Sequence, residues 1–131
     1  MFDDVIVAVI GNPEKPSGMF SVAERMDFIR AAARPFSNVT CVTHHGLTVD
    51  AVQQTGADVI IRTGHKDKGD EWSMLAMNEF VAGRRTCLVP PDPAVAFLSS
   101  SLVRSLTTLG RVADAIRFVP MPVADALRTL T

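Results

Sequence analysis

Apolar residues in this chain fall into short unbroken runs, separated by stretches where they recur every three or four positions. Val5–Ile10 (VIVAVI) is continuously apolar and β-branched, the pattern of a strand buried on both faces. Val39–Val42, Asp58–Arg62 and Thr86–Pro90 read as three more strands. Between them the period changes. Ser21 opens a helix: Ser21 and Glu24 have capping-box spacing, and Phe28, Ile29 and Ala32 supply an apolar face. TVDAVQQTG is a short helix ended by Gly56. Asp70–Gly83 is a third, with Trp72, Leu75, Ala76 and Phe80 near helical spacing and Gly83 closing it. Ser99–Leu109 and Val123–Leu130 complete the helices. Strand and helix alternate, and the strands lack polar alternation. The expected architecture is α/β: a Rossmann-like parallel sheet with helices on both faces, formed by residues 1–131 as one domain.

Composition narrows the function classes. The 131 residues are 47% hydrophobic and carry a formal net charge of −1. That balance is too neutral for a nucleic-acid footprint and too apolar for disorder. Val5–Ile10 is far too short to span a membrane, and no charged-then-apolar signal precedes it. A cytoplasmic setting is expected, with no nucleic-acid or membrane partner. Cys41 and Cys87 both lie in apolar runs and are read as buried free thiols of a reducing compartment.

In parallel sheets, ligands gather beyond the carboxyl ends of the strands. The loops to inspect are therefore Gly11–Gly18, Thr43–Thr48, Arg62–Lys68 and Pro90–Ser101. They bring Lys15, His44, His45, Arg62, His65, Lys66 and Lys68 to one sheet edge, with the triplet Ser99–Ser101 at a helix start. Cations converging on a helix N-terminus suit a polyphosphate. Each feature also has a plainer reading. A serine triplet is a helix cap more often than a phosphate site, and a single arginine is most often a surface ion pair. His44 and His45 are adjacent on an extended segment, so their rings point to opposite sides. They have no companion at metal-ligand spacing, and no metal site is expected. No Walker loop, G-x-G-x-x-G or G-x-S-x-G is present. From these residues alone the chain is an anion-binding α/β domain.

The segments taken together reach further. MFDDVIVAVIGNPEK, MFSVAERMDFIR, NVTCV, ADVIIRTG, MLAMN and FLSSSLVR occur in an order and spacing that resembles bacterial phosphopantetheine adenylyltransferases, over essentially the whole chain. FLSSSLVR is the most specific piece. The resemblance implies a nucleotidylyltransferase fold and transfer of AMP from ATP to 4′-phosphopantetheine. The products are dephospho-coenzyme A and pyrophosphate, magnesium accompanies the ATP, and the assembly is a homo-oligomer, a hexamer in the family. Carried over by position, Lys15, Thr48 and Arg62 become substrate-binding residues. Thr63, Gly64, His65, Glu71 and Val95, Ala96, Phe97, Leu98, Ser99, Ser100 and Ser101 become ATP-binding ones. The serines are then a phosphate cradle. This chain departs from the family at His65, which stands for a second arginine, at a shortened Lys66–Asp70 segment, and at Val95, where an aromatic is usual.

A larger departure lies at the front. The family opens with a strand, a YPGTFDP-like turn and a helix bearing Thr-x-Gly-His or His-x-Gly-His, whose histidine stabilises charge on the α-phosphate. The resemblance implies that this sequence starts inside that helix, and no catalytic residue is assigned. The resemblance implies that the central first strand of the sheet is missing. Val5–Ile10 and Asp58–Arg62 would then flank a gap of about 9–10 Å, twice the strand spacing. The expectation is two strand pairs beside a void or a narrowed seam, in a chain truncated at its amino end and inactive alone. The alternative is a degenerate, non-catalytic paralogue that binds nucleotide or joins an oligomer.

Overall fold

The computed structural model describes residues 1–11, 18–63, 76, 77 and 79–130. Among the described residues four strands form: β1 (Val5–Gly11), β2 (Val39–His45), β3 (Val59–Thr63) and β4 (Arg85–Val89). They make two separate two-stranded parallel sheets, β1 with β2 and β3 with β4. In the first, Val5 lies opposite Val39 and Gly11 opposite His45. In the second, Val59 lies opposite Arg85 and Thr63 opposite Val89. The strand positions agree with the apolar runs to within a residue or so, except that β2 continues three residues further, through both histidines.

Helix α1 (Val22–Ala33) starts as its spacing predicts. The Glu24 amide donates to the Ser21 hydroxyl at 3.1 Å, and the Ser21 amide donates to the Glu24 carboxylate at 2.7 Å. Two of the orphan N–H groups of the first turn are thereby satisfied. Phe20, just before the cap, meets Phe28 edge-to-face with ring centroids 5.0 Å apart. Helix α2 (Thr48–Thr55) has a half-box: Leu47 has no side-chain acceptor, but its amide donates to the Asp50 carboxylate at 3.3 Å. Gly56 ends it in the left-handed region, φ 67°, donating to Val52 O, a conformation that costs glycine little. Residues 76, 77 and 79–82 are helical and close on Gly83; the rest of the expected Asp70–Gly83 helix lies outside the described residues.

Helix α3 (Ser100–Thr108) follows β4 through a turn, and then come α4 (Val112–Ala115), a 3-10 turn (Ile116–Phe118) and α5 (Met121–Thr129). The α4 and 3-10 segments were not foreseen: four and three residues are too few to show a period. The last helix begins two residues earlier than its apolar run because Pro122 suits the first turn of a helix.

Helix α1 packs on β1 and β2, and α5 packs on α1. The buried apolar residues gather here and under α2: Val9, Met26, Val49, Ala51, Val52, Ala115, Ala124 and Leu127. The expectation of strands buried on both faces is corrected. Only Val9 among the strand residues is buried, while Ile61 and Val89 are each 43% exposed and Ile6 is 37% exposed. Among the described residues each sheet has two strands, so every strand has an edge with no described partner, and no described helix covers β3–β4 as α1 covers β1–β2. The thiols are corrected for the same reason: both are free, but Cys87 is exposed on β4 and Cys41 only half-buried. Among the described residues no helix is long and apolar enough to cross a membrane.

Candidate functional site

The carboxyl ends of the strands are Gly11, His45, Thr63 and Val89, and the candidate residues lie at these ends or follow them in the sequence. Arg62 is half-buried in β3 opposite Leu88, and Thr63 ends that strand exposed. Thr48 is the first residue of α2 and is half-buried. Lys15, Gly64, His65 and Glu71 lie outside the described residues.

The segment from Val95 to Ser101 is a turn that leads into α3. Asp92 shapes it, accepting from the Ala94 amide at its side chain (2.9 Å) and from the Val95 amide at its carbonyl (3.0 Å). The Leu98 amide then donates to Val95 O at 3.0 Å. Val95, Ala96 and Phe97 are exposed and Leu98 is half-buried. Phe97 packs edge-to-face on Phe118 with centroids 5.5 Å apart, tying this loop to the 3-10 turn.

The three serines divide their work. Ser99 is the N-cap, extended at φ −150°, and its hydroxyl accepts from the Leu102 amide at 3.1 Å. The Ser101 hydroxyl accepts from Arg104 Nη2 at 3.1 Å. The Ser100 hydroxyl has no partner among the described residues, and Ser100 lines a cavity of about 520 Å³. The apolar wall of this cavity includes Ile10 from β1, Phe20 and Phe28 at α1, Val103 from α3 and Val123 from α5. Among the described residues its cationic groups are Arg25 and Arg104. Arg62 is not among the described lining residues, and Lys15 lies outside the described residues.

Arg25 and Arg104 were passed over because neither follows a strand directly. Helical spacing held the signal. Arg25, Phe28 and Ile29 stand at i, i+3 and i+4 of α1, and Ser100, Val103 and Arg104 do so in α3. Each trio therefore shares one helix face, and both faces line the cavity.

The two histidines alternate as an extended segment requires. His44 is half-buried and His45 exposed. His44 Nδ1 is 3.0 Å from Gln54 Oε1, while its Nε2 is buried without a hydrogen-bond partner among the described residues. Both line a shallow surface recess with Asp50, Gln53 and Gln54. Among the described residues no three His, Cys, Asp or Glu side chains converge as metal ligands would.

Two comparisons bear on this arrangement. The chain is similar to the phosphopantetheine adenylyltransferase of Streptomyces coelicolor, 36% identical over 129 residues. The alignment covers 97% of this chain and 79% of that protein. Residues 1–106, which include all four strands and the serine-capped start of α3, match the cytidylyltransferase-like profile. A match that extends over both strand pairs and the Ser99–Ser101 turn spans most of the chain, and it places this protein in the cytidylyltransferase-like family of nucleotidyltransferases.

Proposed function

We propose that this chain carries the ligand-binding part of an adenylyltransferase that moves AMP from ATP to 4′-phosphopantetheine. The observation that carries the reading is the 36% identity to a protein of that name along 97% of this chain. The Ser99-capped helix start beyond β4 supports it chemically. Free N–H groups of a first turn hold partial positive charge where a phosphate would sit. In this reading Ser99–Ser101, Thr63 and Val95–Leu98 face ATP, with Gly64, His65 and Glu71 completing the nucleotide site. Lys15, Thr48 and Arg62 face the acceptor. Magnesium enters with ATP as part of the substrate. In-line attack by the acceptor phosphate leaves the protein mainly positioning and charge stabilisation to provide.

We propose also that the free edges of β1 and β3 receive one further strand between them, making a continuous five-stranded sheet. Unpaired edge groups and the exposed Ile61 and Val89 favour this, because parallel strands are stable only when paired and covered. The segment bringing that strand would also bring the histidine that meets the α-phosphate. The chain alone then binds ATP and turns over little, since loss of one stabilising donor of this kind costs about 100- to 1000-fold.

The test is pyrophosphate release with ATP and 4′-phosphopantetheine, run on this chain and on the chain extended by a family-like strand and Gly-His segment. Activity confined to the extended chain is the expected result; family-level turnover by the short chain refutes the strand argument. Calorimetry of ATP binding tests the site. Ser100→Ala should weaken ATP binding, and Arg62→Ala binding of 4′-phosphopantetheine in a parallel titration, each about tenfold or more, the worth of a charge-assisted contact. Unchanged affinity in both removes the assignment. The non-catalytic alternative has its own signature: ATP binding with no turnover in the extended chain either.

A further inference from the structure

The turn ahead of α3 is held from two sides. On one side it is stiffened locally. Pro90, Pro91 and Pro93 fix φ in its first half, and Asp92 takes the Ala94 and Val95 amides at 2.9 and 3.0 Å. The Leu98 amide bonds to Val95 O at 3.0 Å, again within the turn. On the other side stands a residue from further along the chain. Phe118 meets Phe97 edge-to-face, with centroids 5.5 Å apart and ring planes at 89°. Gly110, left-handed at φ 74°, follows the end of α3. The Arg111 amide donates back to Leu106 O at 2.7 Å, and the chain reverses, so that Phe118 returns to the turn before the helix. Phe118 rests on firm ground. Its 3-10 turn packs on α4 and α5, and α5 packs on α1, where Ala115 of α4 and Leu127 of α5 are fully buried.

We propose that Phe118 is a positioning residue of the nucleotide site: its ring holds Phe97 and so keeps Val95–Leu98 in the shape that meets ATP. The inference rests on the nucleotide reading above and goes beyond it, since Phe118 lies outside residues 1–106, which the profile matches. Exposure argues for positioning over core packing. Phe97 is 58% and Phe118 38% exposed, so the pair buries little apolar area and adds little to global stability. What it constrains is a turn whose order would otherwise be imposed when the ligand binds. Order present beforehand is affinity gained. An edge-to-face ring pair also has a preferred geometry, which an aliphatic side chain of similar size lacks.

The experiment is calorimetric titration of the chain with ATP and, separately, with 4′-phosphopantetheine, paired with amide hydrogen exchange of the same variants without ligand. Phe118→Leu keeps apolar bulk and loses the ring. It should weaken ATP about three- to tenfold, the worth of an aromatic pair, and leave 4′-phosphopantetheine within about twofold. Phe118→Tyr keeps the ring and should restore ATP affinity. In Phe118→Leu, exchange at Val95 and Leu98 should quicken by a factor similar to the loss of ATP affinity, while the α3 amides of Leu106 and Thr107 hold. Phe97→Leu removes the same contact from the other side, and the double variant should lose no more than either single one. Far-UV circular dichroism checks folding, and the Phe97→Leu arm decides where Phe118→Leu does not fold. ATP affinity unchanged by loss of the ring overturns the proposal. So does equal weakening of both ligands, or exchange that rises throughout α3, since either makes Phe118 a general support of the fold. ATP that fails to bind the unaltered chain refutes the nucleotide reading and this role with it, a result distinct from binding that Phe118 does not alter.

Discussion

Replacing Ser99 by alanine separates the two roles a serine triplet can play. In the structure only Ser99 caps: its hydroxyl takes the Leu102 amide at 3.1 Å, and the Ser100 hydroxyl has no partner among the described residues. Loss of an N-cap serine costs about 1 kcal/mol. With a urea dependence of about 2 kcal/mol per molar for a small protein, the midpoint should fall by about 0.5 M. Ser100→Ala should move it by less than about 0.25 M, since the change removes no hydrogen bond and puts a good helix former into the first turn. Ser99→Asp keeps a cap acceptor and adds a negative charge that suits the helix N-terminus. It should hold the midpoint while repelling ATP. The assay is urea unfolding followed by far-UV circular dichroism, paired with ATP calorimetry on the same variants. A midpoint unchanged by Ser99→Ala, or lowered equally by Ser100→Ala, refutes the division of labour. ATP affinity that survives Ser99→Asp refutes the placement of phosphate at this turn.

Three further outcomes are expected. Leu127→Ala should cost about 2–5 kcal/mol, because Leu127 is fully buried at 0% exposure in the small core where α5 meets α1; thermal unfolding reads it. Gly56→Ala should cost about 1 kcal/mol through backbone strain alone, since φ is 67° and a Cβ there would meet nothing within 4 Å; a loss several times larger would mean a clash. In the native chain, Cys87 should react with a thiol reagent well before Cys41, as exposed β4 and half-buried β2 dictate, and urea should bring the two rates together.

Much of the molecule could be read locally. Ser21 and Glu24 stand three apart, and that spacing alone yields both hydrogen bonds of the α1 cap. Gly56 ends α2 because a left-handed residue is needed there and glycine supplies it without a Cβ penalty. The four apolar runs became strands, and the step from β4 into a serine-capped helix was visible in FLSSSLVR. These features depend on neighbours within a few residues, so one-dimensional spacing contains them.

What tertiary structure decided is how those elements meet. An unbroken apolar run says that a strand is suited to burial, but not whether anything covers it; β3 and β4 pair only with each other and leave Ile61 and Val89 exposed. The same limit misplaced Cys87, whose apolar neighbours in sequence say nothing about the layer above it. The cavity shows the limit most clearly. Arg25 and Arg104 are 79 positions apart in sequence, by subtraction of their numbers, and line one space only because α1 and α3 face each other across the end of β1. Helical period puts each arginine on an apolar face of its own helix, but which two faces oppose each other is set by packing. Local spacing is enforced by backbone geometry and hydrogen bonds within a turn or two. The pairing of distant faces is enforced by burial, a property of the whole chain.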